Sequence, residues 1–469
     1  MSAPQHPSIG LLPFYLKLYD DAMPERRAGF DGLLAGVAAA FEARGIAVVR
    51  APVCRVAAEF EAAVARFEAA GVDAVATLHL AYSPSLEALE ALCRTRLPVI
   101  VLDTTPDPSF GRGTPPDRIM YNHGVHGVMD FTSRLRRNGR PFEIVAGHAG
   151  NTRFLDRAAG LARAALAARA LAASAALRVG PAFEGMGDFA VAEETLASRL
   201  GVRVRQAAIA DLDAAVRTVA DAEVAAEVAR DRGRFDCELP EETHVRSVRV
   251  GLGLRRLVES AGCSALSVNF QIFDRRDRLA NTMPFLEISK AMARGTGYAG
   301  EGDVLTAALV GALARAFGET TFTEVFCPDW AGNGLFLSHM GEISPSVAAG
   351  RPRVVERPFP FGNALKPAVL TCAVRPGPAT FVNLAPGPGD TFRLLVAPVA
   401  VLPEDDGLHP DMRDVVRAWI RPAGSVPRFL ESYSHAGGTH HSALVLGDCA
   451  EAIAAFGRMC ALDVVAIGA

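Results

Sequence analysis

The chain has 469 residues, more than one hydrophobic core usually supports, so we expect about two to four domains. Half of the residues are hydrophobic and 21% are charged, a composition that excludes disordered and fibrous proteins. The 48 basic and 52 acidic residues give a net charge of −4, and this balance provides no basic surface for nucleic acid.

Only three of the basic residues are lysine (Lys17, Lys290 and Lys366), and none lies in a motif that supports Schiff-base catalysis. Eight cysteines without a C-x-x-C pair are typical of reduced thiols. The N-terminal segment lacks the charged and long apolar regions of a secretion signal, and arginines interrupt the Ala-rich stretch at 158–177. The sequence therefore predicts a cytoplasmic protein without a membrane span.

The first 150 residues alternate β-branched strands with amphipathic helical patterns. Strands are predicted at residues 9–12, 46–51, 74–80, 99–103 and 142–146. Helices are predicted up to residue 41 and at 57–70, 86–92 and 125–137. This alternation predicts a doubly wound parallel sheet that binds ligands at the carboxyl ends of its strands. We expect a flavodoxin-like α/β domain over residues 1–172.

A helix at 151–177, rich in Ala and Arg, is expected to lead into a second α/β unit. Its strands are predicted at 177–180, 202–204 and 265–270, and its helices at 190–200, 211–230, 242–260 and 303–317. We expect this central α/β domain, again doubly wound, to cover residues 173–320.

After residue 320, Pro- and Gly-rich turns separate short alternating strands. Strands are predicted at 353–357, 368–374, 379–384 and 391–396, followed by a helix at 449–459 and a strand at 464–467. Strands joined by such turns favour an antiparallel sheet or barrel. The fold class expected is therefore two doubly wound parallel α/β domains and a C-terminal antiparallel, barrel-like β domain over residues 321–469.

Residues 295–300, Gly-Thr-Gly-Tyr-Ala-Gly, match the letters of the dinucleotide fingerprint G-x-G-x-x-G. That fingerprint needs a preceding strand, whereas residues 285–294 predict a helix, so we expect no nicotinamide site. We expect a flexible glycine loop that brings Glu301 and Asp303 to the start of the next helix. The alternative is that the two acids only stabilise this helix end, with Asp303 as its N-cap.

Three further segments carry residues that could bind a metal. Glu324 lies in an apolar, strand-like run, where a charge needs a partner, and His339 lies in a similar run. His435, His440 and His441 are close together in a Gly-containing segment. Adjacent residues on a strand point to opposite faces, so at most one of His440 and His441 should bind a given ion. Carboxylates and imidazoles from separate segments predict a divalent ion, Mn²⁺ first, with Co²⁺ and Mg²⁺ as alternatives.

Four segments, in their order along the chain, resemble those of L-arabinose isomerases. They are Gly-Glu301-Gly-Asp303, Thr-Phe-Thr-Glu324, Ser-His339-Met-Gly-Glu342 and Gly-Gly-Thr-His440-His441. Residues 121–127, Met186 and residues 268–270 also have counterparts in that family. The resemblance covers nearly the whole chain, is strong from about 265 to 445 and is weak over the first 120 residues.

The resemblance implies a three-domain fold shared with L-fucose isomerases and a metal-dependent aldose–ketose isomerisation through an ene-diol. The metal ligands that it implies, most of them on the C-terminal domain, are Glu301, Glu324, His339 and His441. Glu301 and Glu324 would also be catalytic, one as base and one as acid in either order. The substrate-binding residues that it implies are Met186, Phe270, His440 and His126. His126 would reach the site of a neighbouring subunit in a trimer or hexamer.

Three departures from the family pattern affect the substrate. Residues 12–20 replace the family's Gly-Ser-Gln-His segment, residues 325–330 replace its Asp-Tyr run, and Gly-Asp-Phe follows Met186 where an Arg is expected. We therefore expect a substrate other than L-arabinose, such as another pentose, a deoxy- or modified hexose, or a sugar acid. The alternatives are another metal-dependent enzyme on the same fold (an epimerase, aldolase or hydrolase) and a non-catalytic sugar-binding protein.

Overall fold

The computed structural model describes residues 6–404 and 407–468, and the chain forms two units. Of the described residues, the first comprises 6–169 and 458–461, and the second comprises 170–457 and 462–468. The expected division into three domains at residues 172 and 320 stays a prediction. All eight cysteines are free thiols. Among the described residues, no helix is both long and apolar enough to cross a bilayer.

The first unit is built on a five-stranded parallel sheet in the order β2-β1-β3-β4-β5, which is typical of flavodoxin-like domains. Its strands are β1 (Ser8–Phe14), β2 (Ala47–Arg50), β3 (Ala74–His79), β4 (Val99–Asp103) and β5 (Glu143–Ala146). Its α-helices are Lys17–Ala22, Asp31–Glu42, Ala57–Ala70, Ser85–Arg94, Ile119–Asn122, Gly124–Arg137 and Thr152–Ala172. All five predicted strands are confirmed.

His79, the last residue of β3, is enclosed by aromatic side chains. Its ring stacks on that of Phe14 with 4.3 Å between centroids, and the ring of Phe131 lies 5.7 Å away. Neither ring nitrogen has a hydrogen-bond partner among the described residues. Burial lowers the pKa of His79 from 6.5 to about 3, so the folded protein holds this imidazole neutral.

We expect the first unit to lose stability in mild acid because of His79. The unfolded chain takes up a proton on this ring below pH 6.5, whereas the folded chain does so only near pH 3. Protonation of His79 therefore has no effect on stability above pH 6.5, and it lowers the free energy of unfolding progressively as the pH falls from 6.5 toward 3. At pH 5 this group should lower the free energy of unfolding by about 2 kcal/mol.

Urea unfolding of the wild type and of His79→Phe at pH 7 and pH 5 measures this effect. The phenylalanine variant should lose about 2 kcal/mol less than the wild type between the two pH values. His6→Gln, a change at an exposed histidine of the same unit, should behave like the wild type. Equal acid sensitivity of the wild type and His79→Phe would show that another group is responsible.

The second unit contains a four-stranded parallel sheet in the order β10-β9-β6-β7. The strands from this part of the chain are β6 (Ala175–Val179), β7 (Arg203–Ala207), β8 (Asp236–Glu238), β9 (Ala265–Val268) and β10 (Gly297–Gly300), and β8 belongs to another sheet. The helices are Glu193–Thr195, continued by a π-helical turn at Leu196–Leu200, then Ile209–Arg217, Asp221–Arg234, Glu241–Ser260, Phe285–Ala293 and Val304–Phe317. The single helix expected at 211–230 is two helices, because the Glu223 carboxylate accepts the Ala220 amide and begins the second one.

The glycine run before Glu301 is a buried strand, β10, so the expectation of a flexible loop is wrong. The strand pairs in parallel with β9. A Cβ atom at Gly297 would lie 2.0 Å from the Ala307 carbonyl oxygen, so the missing side chain admits the helix Val304–Phe317 close to the sheet. A helix, Phe285–Ala293, does precede the run, as expected.

The C-terminal part is a closed antiparallel barrel in the order β15-β18-β11-β12-β17-β16, with β16 pairing back onto β15. Its strands are β11 (Thr320–Asp329), β12 (Gly334–Ser338), β13 (Arg353–Glu356), β14 (Ala368–Thr371), β15 (Gly377–Pro386), β16 (Phe392–Val401), β17 (Ala418–Pro422), β18 (His441–Leu446) and β19 (Asp463–Ala466). Strand β19 adds to β16 in parallel, and β8, β13 and β14 form a separate small sheet. Two helices, Val426–His435 and Ala450–Met459, lie in this part. The expected fold class is confirmed.

A buried ionic network joins three helices of the second unit. Lys290 Nζ lies 2.7 Å from Glu227 Oε1 and 3.0 Å from Asp231 Oδ1. Arg255 donates to Glu227 at 2.9 Å and to Glu287 at 2.8 Å. The lysine and the three acids are all buried. Because buried charges are costly unless they are paired, this network constrains how the three helices pack.

Candidate metal centre

Four side chains from separate segments of the second unit converge. They are Glu301, Glu324, His339 and His441, and one ligand atom of each lies within 4.8 Å of the others. Three of the residues are buried, and the Glu324 side chain is 15% exposed. The structure thus brings together all four residues that the family resemblance implies as metal ligands.

Glu301 follows the carboxyl end of β10 in a left-handed turn, with φ at 55°. Ser267 supports this turn, because its hydroxyl donates to the Gly300 carbonyl oxygen at 2.9 Å and accepts the Gly302 amide at 2.9 Å. Gly302 has a φ of 89°, and a Cβ atom there would lie 2.6 Å from the Ala182 Cα. Glycine is therefore required beside Glu301, and the turn projects the carboxylate into the cluster.

The other three residues come from adjacent barrel strands. Glu324 on β11 pairs with His441 on β18 and with Ser338 on β12, and His339 follows Ser338. This register sets one carboxylate between two imidazoles. Glu324 Oε1 lies 3.0 Å from His339 Nε2 and 3.1 Å from His441 Nε2. Glu301 Oε2 approaches His441 Nε2 to 3.0 Å from the parallel sheet.

A carboxylate lies next to the Nδ1 atom of each imidazole. His441 Nδ1 lies 2.9 Å from Asp303 Oδ2, and Asp303 also caps the following helix, as the alternative interpretation had it. His339 Nδ1 lies 2.9 Å from Glu342 Oε1, which accepts the Tyr298 hydroxyl at 2.7 Å. Carboxylates in this position typically orient histidine ligands. The contact of His441 with Asp303 is a hydrogen bond, whereas His339 Nδ1 lies near Glu342 without hydrogen-bond geometry.

The carboxylates and imidazoles of the cluster shift one another's pKa values. Burial raises the pKa of the Glu301 carboxyl, but the nearby imidazoles of His441 and His339 outweigh it and hold the pKa below its usual value. The same two imidazoles lower the pKa of Glu324 against the effect of burial. Burial lowers the pKa of His339, but the charges of Glu342 and Glu324 raise it to about 10. Both glutamates are therefore held ionised.

The donor set fits a divalent metal ion. Glu301 Oε2 and His441 Nε2 are buried 3.0 Å apart without the geometry of a hydrogen bond, and neither has another hydrogen-bond partner among the described residues. Buried polar atoms without partners are costly, and a cation between them would satisfy both. Carboxylate oxygens and imidazole nitrogens together suit Mn²⁺, Co²⁺ or Mg²⁺ better than thiolate-preferring metals.

His440 lies beside the cluster but is not part of it. Its backbone amide and its Nδ1 atom lie 2.9 Å and 2.6 Å from Asp188 Oδ2. Its ring centroid is only 4.1 Å from that of His441, so the expectation that the two rings lie on opposite faces is wrong. The reason is that β18 begins at His441, and strand alternation does not extend to the residue before it. Phe189 stacks on the His441 ring at 5.2 Å.

Phe270 and Met186 lie on segments next to the Glu301 turn. Phe270 is half-buried against Phe183, with 5.6 Å between ring centroids, and the Phe183 amide donates to the Glu301 carbonyl oxygen at 2.8 Å. The Met186 amide donates to the Phe183 carbonyl oxygen at 3.3 Å. Their role in substrate binding stays a prediction.

His126 belongs to the first unit, where it lies on the helix Gly124–Arg137. Its ring meets those of Tyr82 and His123 edge-on, at 5.1 Å and 4.9 Å. The expectation that it reaches the site of a neighbouring subunit stays a prediction.

The sequence did not predict the contacts that three residues make around the cluster: Glu342, Tyr298 and Asp188. Glu342 follows His339 by three residues, and a histidine so close to an acid in an apolar segment was a usable signal. Tyr298 lies within the glycine run at 295–300, which predicted a flexible loop and therefore no buried contact for this side chain. Asp188 is 252 residues from His440, and no local pattern connects them.

Comparison with known proteins shows which family the chain resembles. The L-arabinose isomerase C-terminal domain matches residues 319–463, and the L-arabinose isomerase central domain matches residues 183–318. The L-arabinose isomerase of Nocardioides sp. is 30% identical over 415 residues, covering 85% of this chain and 80% of the relative. That of Geobacillus thermodenitrificans is 30% identical over 407 residues, covering 82% of this chain and 79% of the relative.

Among solved structures, a periplasmic solute-binding protein of Actinobacillus succinogenes with bound D-allose covers 66% of this chain, and 91% of its own chain is covered. Its 15% identity and TM-score of 0.17 are too low to support any inference about this protein. The matches to curated relatives are far closer and extend over most of both chains. The chain therefore belongs to the L-arabinose isomerase family of aldose–ketose isomerases.

Proposed function

We propose that this chain is a divalent-metal-dependent aldose–ketose isomerase in which Glu301 and Glu324 transfer the protons. The observation that carries the proposal is the buried convergence of two carboxylates and two imidazoles. Glu301, Glu324, His339 and His441 would hold the ion, Mn²⁺ first, with Co²⁺ and Mg²⁺ as alternatives. When bound, such an ion polarises the sugar oxygens and stabilises the negative charge of the ene-diolate.

The two glutamates share the proton transfers that move the carbonyl group from C1 to C2. One carboxylate takes the proton from C2 and passes it to O1, and the other takes the proton of the C2 hydroxyl and delivers it to C1, so both glutamates begin and end the reaction ionised. The carbonyl thereby passes from C1 to C2. In the metal-free cluster both carboxyls are ionised, so the structure does not distinguish which of the two glutamates acts as the base. The burial of the cluster limits the access of water to the ene-diol.

We infer that the substrate is a sugar other than L-arabinose. The support is the departures around the cluster, where Asp188 and Phe189 now contact His440 and His441. Another pentose, a deoxy- or modified hexose and a sugar acid fit this inference. We also infer a cytoplasmic trimer or hexamer in which His126 completes a neighbouring site, in line with the family resemblance.

Deuterium exchange tests the function. Mn²⁺-loaded protein is incubated in D₂O with a panel of aldoses and ketoses, the ion is removed by chelation, and NMR detects deuterium at C1 and C2. We expect exchange and interconversion for at least one sugar pair, with neither in metal-free protein. Bound metal without exchange on any sugar would favour an epimerase or aldolase, and failure to bind a divalent ion would refute the proposal.

Asp303→Asn should weaken metal binding while it preserves the helix cap. The amide oxygen of asparagine can still accept the Thr306 amide, which Asp303 now accepts at 2.9 Å. It no longer offers a carboxylate to His441 Nδ1, and loss of such a partner typically costs 10–100-fold in metal affinity, so we expect about that increase in Kd. Calorimetric titration with Mn²⁺ measures the Kd.

Ser425→Ala is the matched control, because Ser425 caps the helix Val426–His435 and is not one of the four proposed ligands. It should cost about 1 kcal/mol of stability and leave the Kd for Mn²⁺ unchanged. An unchanged Kd in Asp303→Asn would mean that the contact with His441 does not support metal binding.

A further inference from the structure

We propose that Asp188 is a positioning residue that fixes the His440 ring and thereby presents His440 Nε2 to a hydroxyl group of the sugar. The inference rests on the proposed function and deepens it, because it identifies the residue that holds His440 at the edge of the candidate metal centre. Asp188 lies in the Gly-Asp-Phe segment, where this chain departs from its family's pattern.

The first support is that one carboxylate oxygen holds His440 at two points. Asp188 Oδ2 accepts the His440 backbone amide at 2.9 Å and lies 2.6 Å from its Nδ1 atom. Two contacts from one oxygen to the main chain and to the ring of one residue fix both its backbone position and its side-chain torsions. Hydrogen bonds to an ionised acceptor are the stronger kind, so this arrangement is well suited to holding a partly exposed ring.

The second support is the state of the ring nitrogens. An ionised carboxylate only accepts hydrogen bonds, so Nδ1 must be the nitrogen that carries the proton toward Asp188. Among the described residues, the structure gives His440 Nε2 no hydrogen-bond partner. The His440 side chain is 38% exposed, so the ring is accessible to a ligand.

The third support is the location of the ring. Its centroid is 4.1 Å from that of His441, whose Nε2 atom is directed into the cluster. Phe189 lies against both rings, at 5.8 Å and 5.2 Å, and limits their rotation. A sugar bound at the cluster would carry several hydroxyls next to its reacting carbons. A hydroxyl both donates and accepts, so it can pair with Nε2.

Nitrogen NMR tests the positioning directly, without reference to activity. Protein labelled with ¹⁵N in its 11 histidines is loaded with diamagnetic Mg²⁺, and the His440 signals are identified by their loss in His440→Gln. We expect the wild-type proton on Nδ1, and a mixture of the two tautomers in Asp188→Leu. A wild-type proton on Nε2, or the same tautomer in both proteins, would overturn the proposal.

Binding of pentitols, which resemble open-chain sugars but cannot be isomerised, tests the hydroxyl contact. In Asp188→Leu we expect Kd for the best-bound pentitol to rise about tenfold, with a smaller rise in Asp188→Asn, whose amide oxygen can still accept from Nδ1. Metal content should stay at the wild-type level. Glu184→Gln, at an exposed acid of the same segment, is the matched control and should bind like the wild type.

The outcomes separate this inference from the proposed function. An active isomerase whose pentitol Kd and KM are unchanged in both Asp188 variants contradicts the inference alone. Pentitol binding that depends on Asp188, in a protein that isomerises no aldose, supports the inference and contradicts the proposed function. A wild-type protein that binds no pentitol refutes the hydroxyl contact, whatever its activity.

Discussion

Glu324→Gln and Glu301→Gln are each expected to lower the turnover number of the metal-saturated enzyme by a factor of about 10²–10⁴. Glutamine keeps the shape of the side chain, but its amide cannot take a proton from carbon or return one. Turnover is measured on an aldose that the wild type converts, at saturating Mn²⁺. Bound metal is measured on the same samples, so that loss of the ion is separated from loss of proton transfer.

The two variants also assign the roles of the glutamates. With an aldose deuterated at C2, the variant that lacks the base should retain the label, whereas the variant that lacks the acid should still release it without forming ketose. Glu431→Gln, at an exposed acid on the helix Val426–His435, is the control and should turn over like the wild type. Turnover within about tenfold of wild type in either cluster variant would exclude that residue from proton transfer.

The four residues of the candidate metal centre were implied together by the family resemblance, and the local sequence marked two of them as unusual. Glu324 and His339 are polar residues in apolar runs, where a charge without a partner is costly, and the structure indeed buries His339 and most of Glu324. Their mutual distances could not be predicted, because they depend on which barrel strands pair. The alignment of Glu324 with His441 joins residues that are far apart in sequence.

The glycine run before Glu301 shows why a composition rule failed. Glycine is a poor strand former, so the run predicted a loop. In the folded chain the glycines make room for neighbours: a Cβ at Gly300 would lie 3.1 Å from His339 Cε1, just as one at Gly297 would meet the helix behind it. A glycine that permits close packing and one that permits flexibility look the same in sequence.

The complete burial of the helix Phe285–Ala293 also could not be predicted from the sequence. The helix itself was predicted, but every residue from Phe285 to Met292 is buried, including Glu287 and Lys290. A helix buried on all sides has no polar stripe that could mark its environment. The partners of Lys290 lie on a different helix, about sixty residues away, so only the tertiary structure identifies them.

Lys290→Met is expected to lower the free energy of unfolding by about 3–5 kcal/mol. The change removes the cation from Glu227 and Asp231, which lie 2.7 Å and 3.0 Å from Nζ and are both buried. Burial alone raises the pKa of Glu227, but Lys290 and the nearby arginines outweigh it and keep the carboxyl ionised. These arginines stay beside Glu227 in the variant, so the buried charge that loses its cation is mainly that of Asp231, which keeps a contact with His244 at 3.2 Å. Urea unfolding of metal-free protein at pH 7 measures the loss.

Lys366→Met provides the matched control among the three lysines of the chain. Lys366 Nζ also contacts a carboxylate, Glu356 Oε1 at 2.9 Å, but its side chain is 59% exposed. Exposed ion pairs contribute little, so this variant should stay within about 1 kcal/mol of the wild type. Adding Asp231→Asn to Lys290→Met should restore part of the stability, because it removes one of the charges left unpaired. If Lys290→Met lowered the free energy of unfolding as little as Lys366→Met does, the buried ion pairs would not be what stabilises the packing of these helices. Apolar packing would then have to account for it.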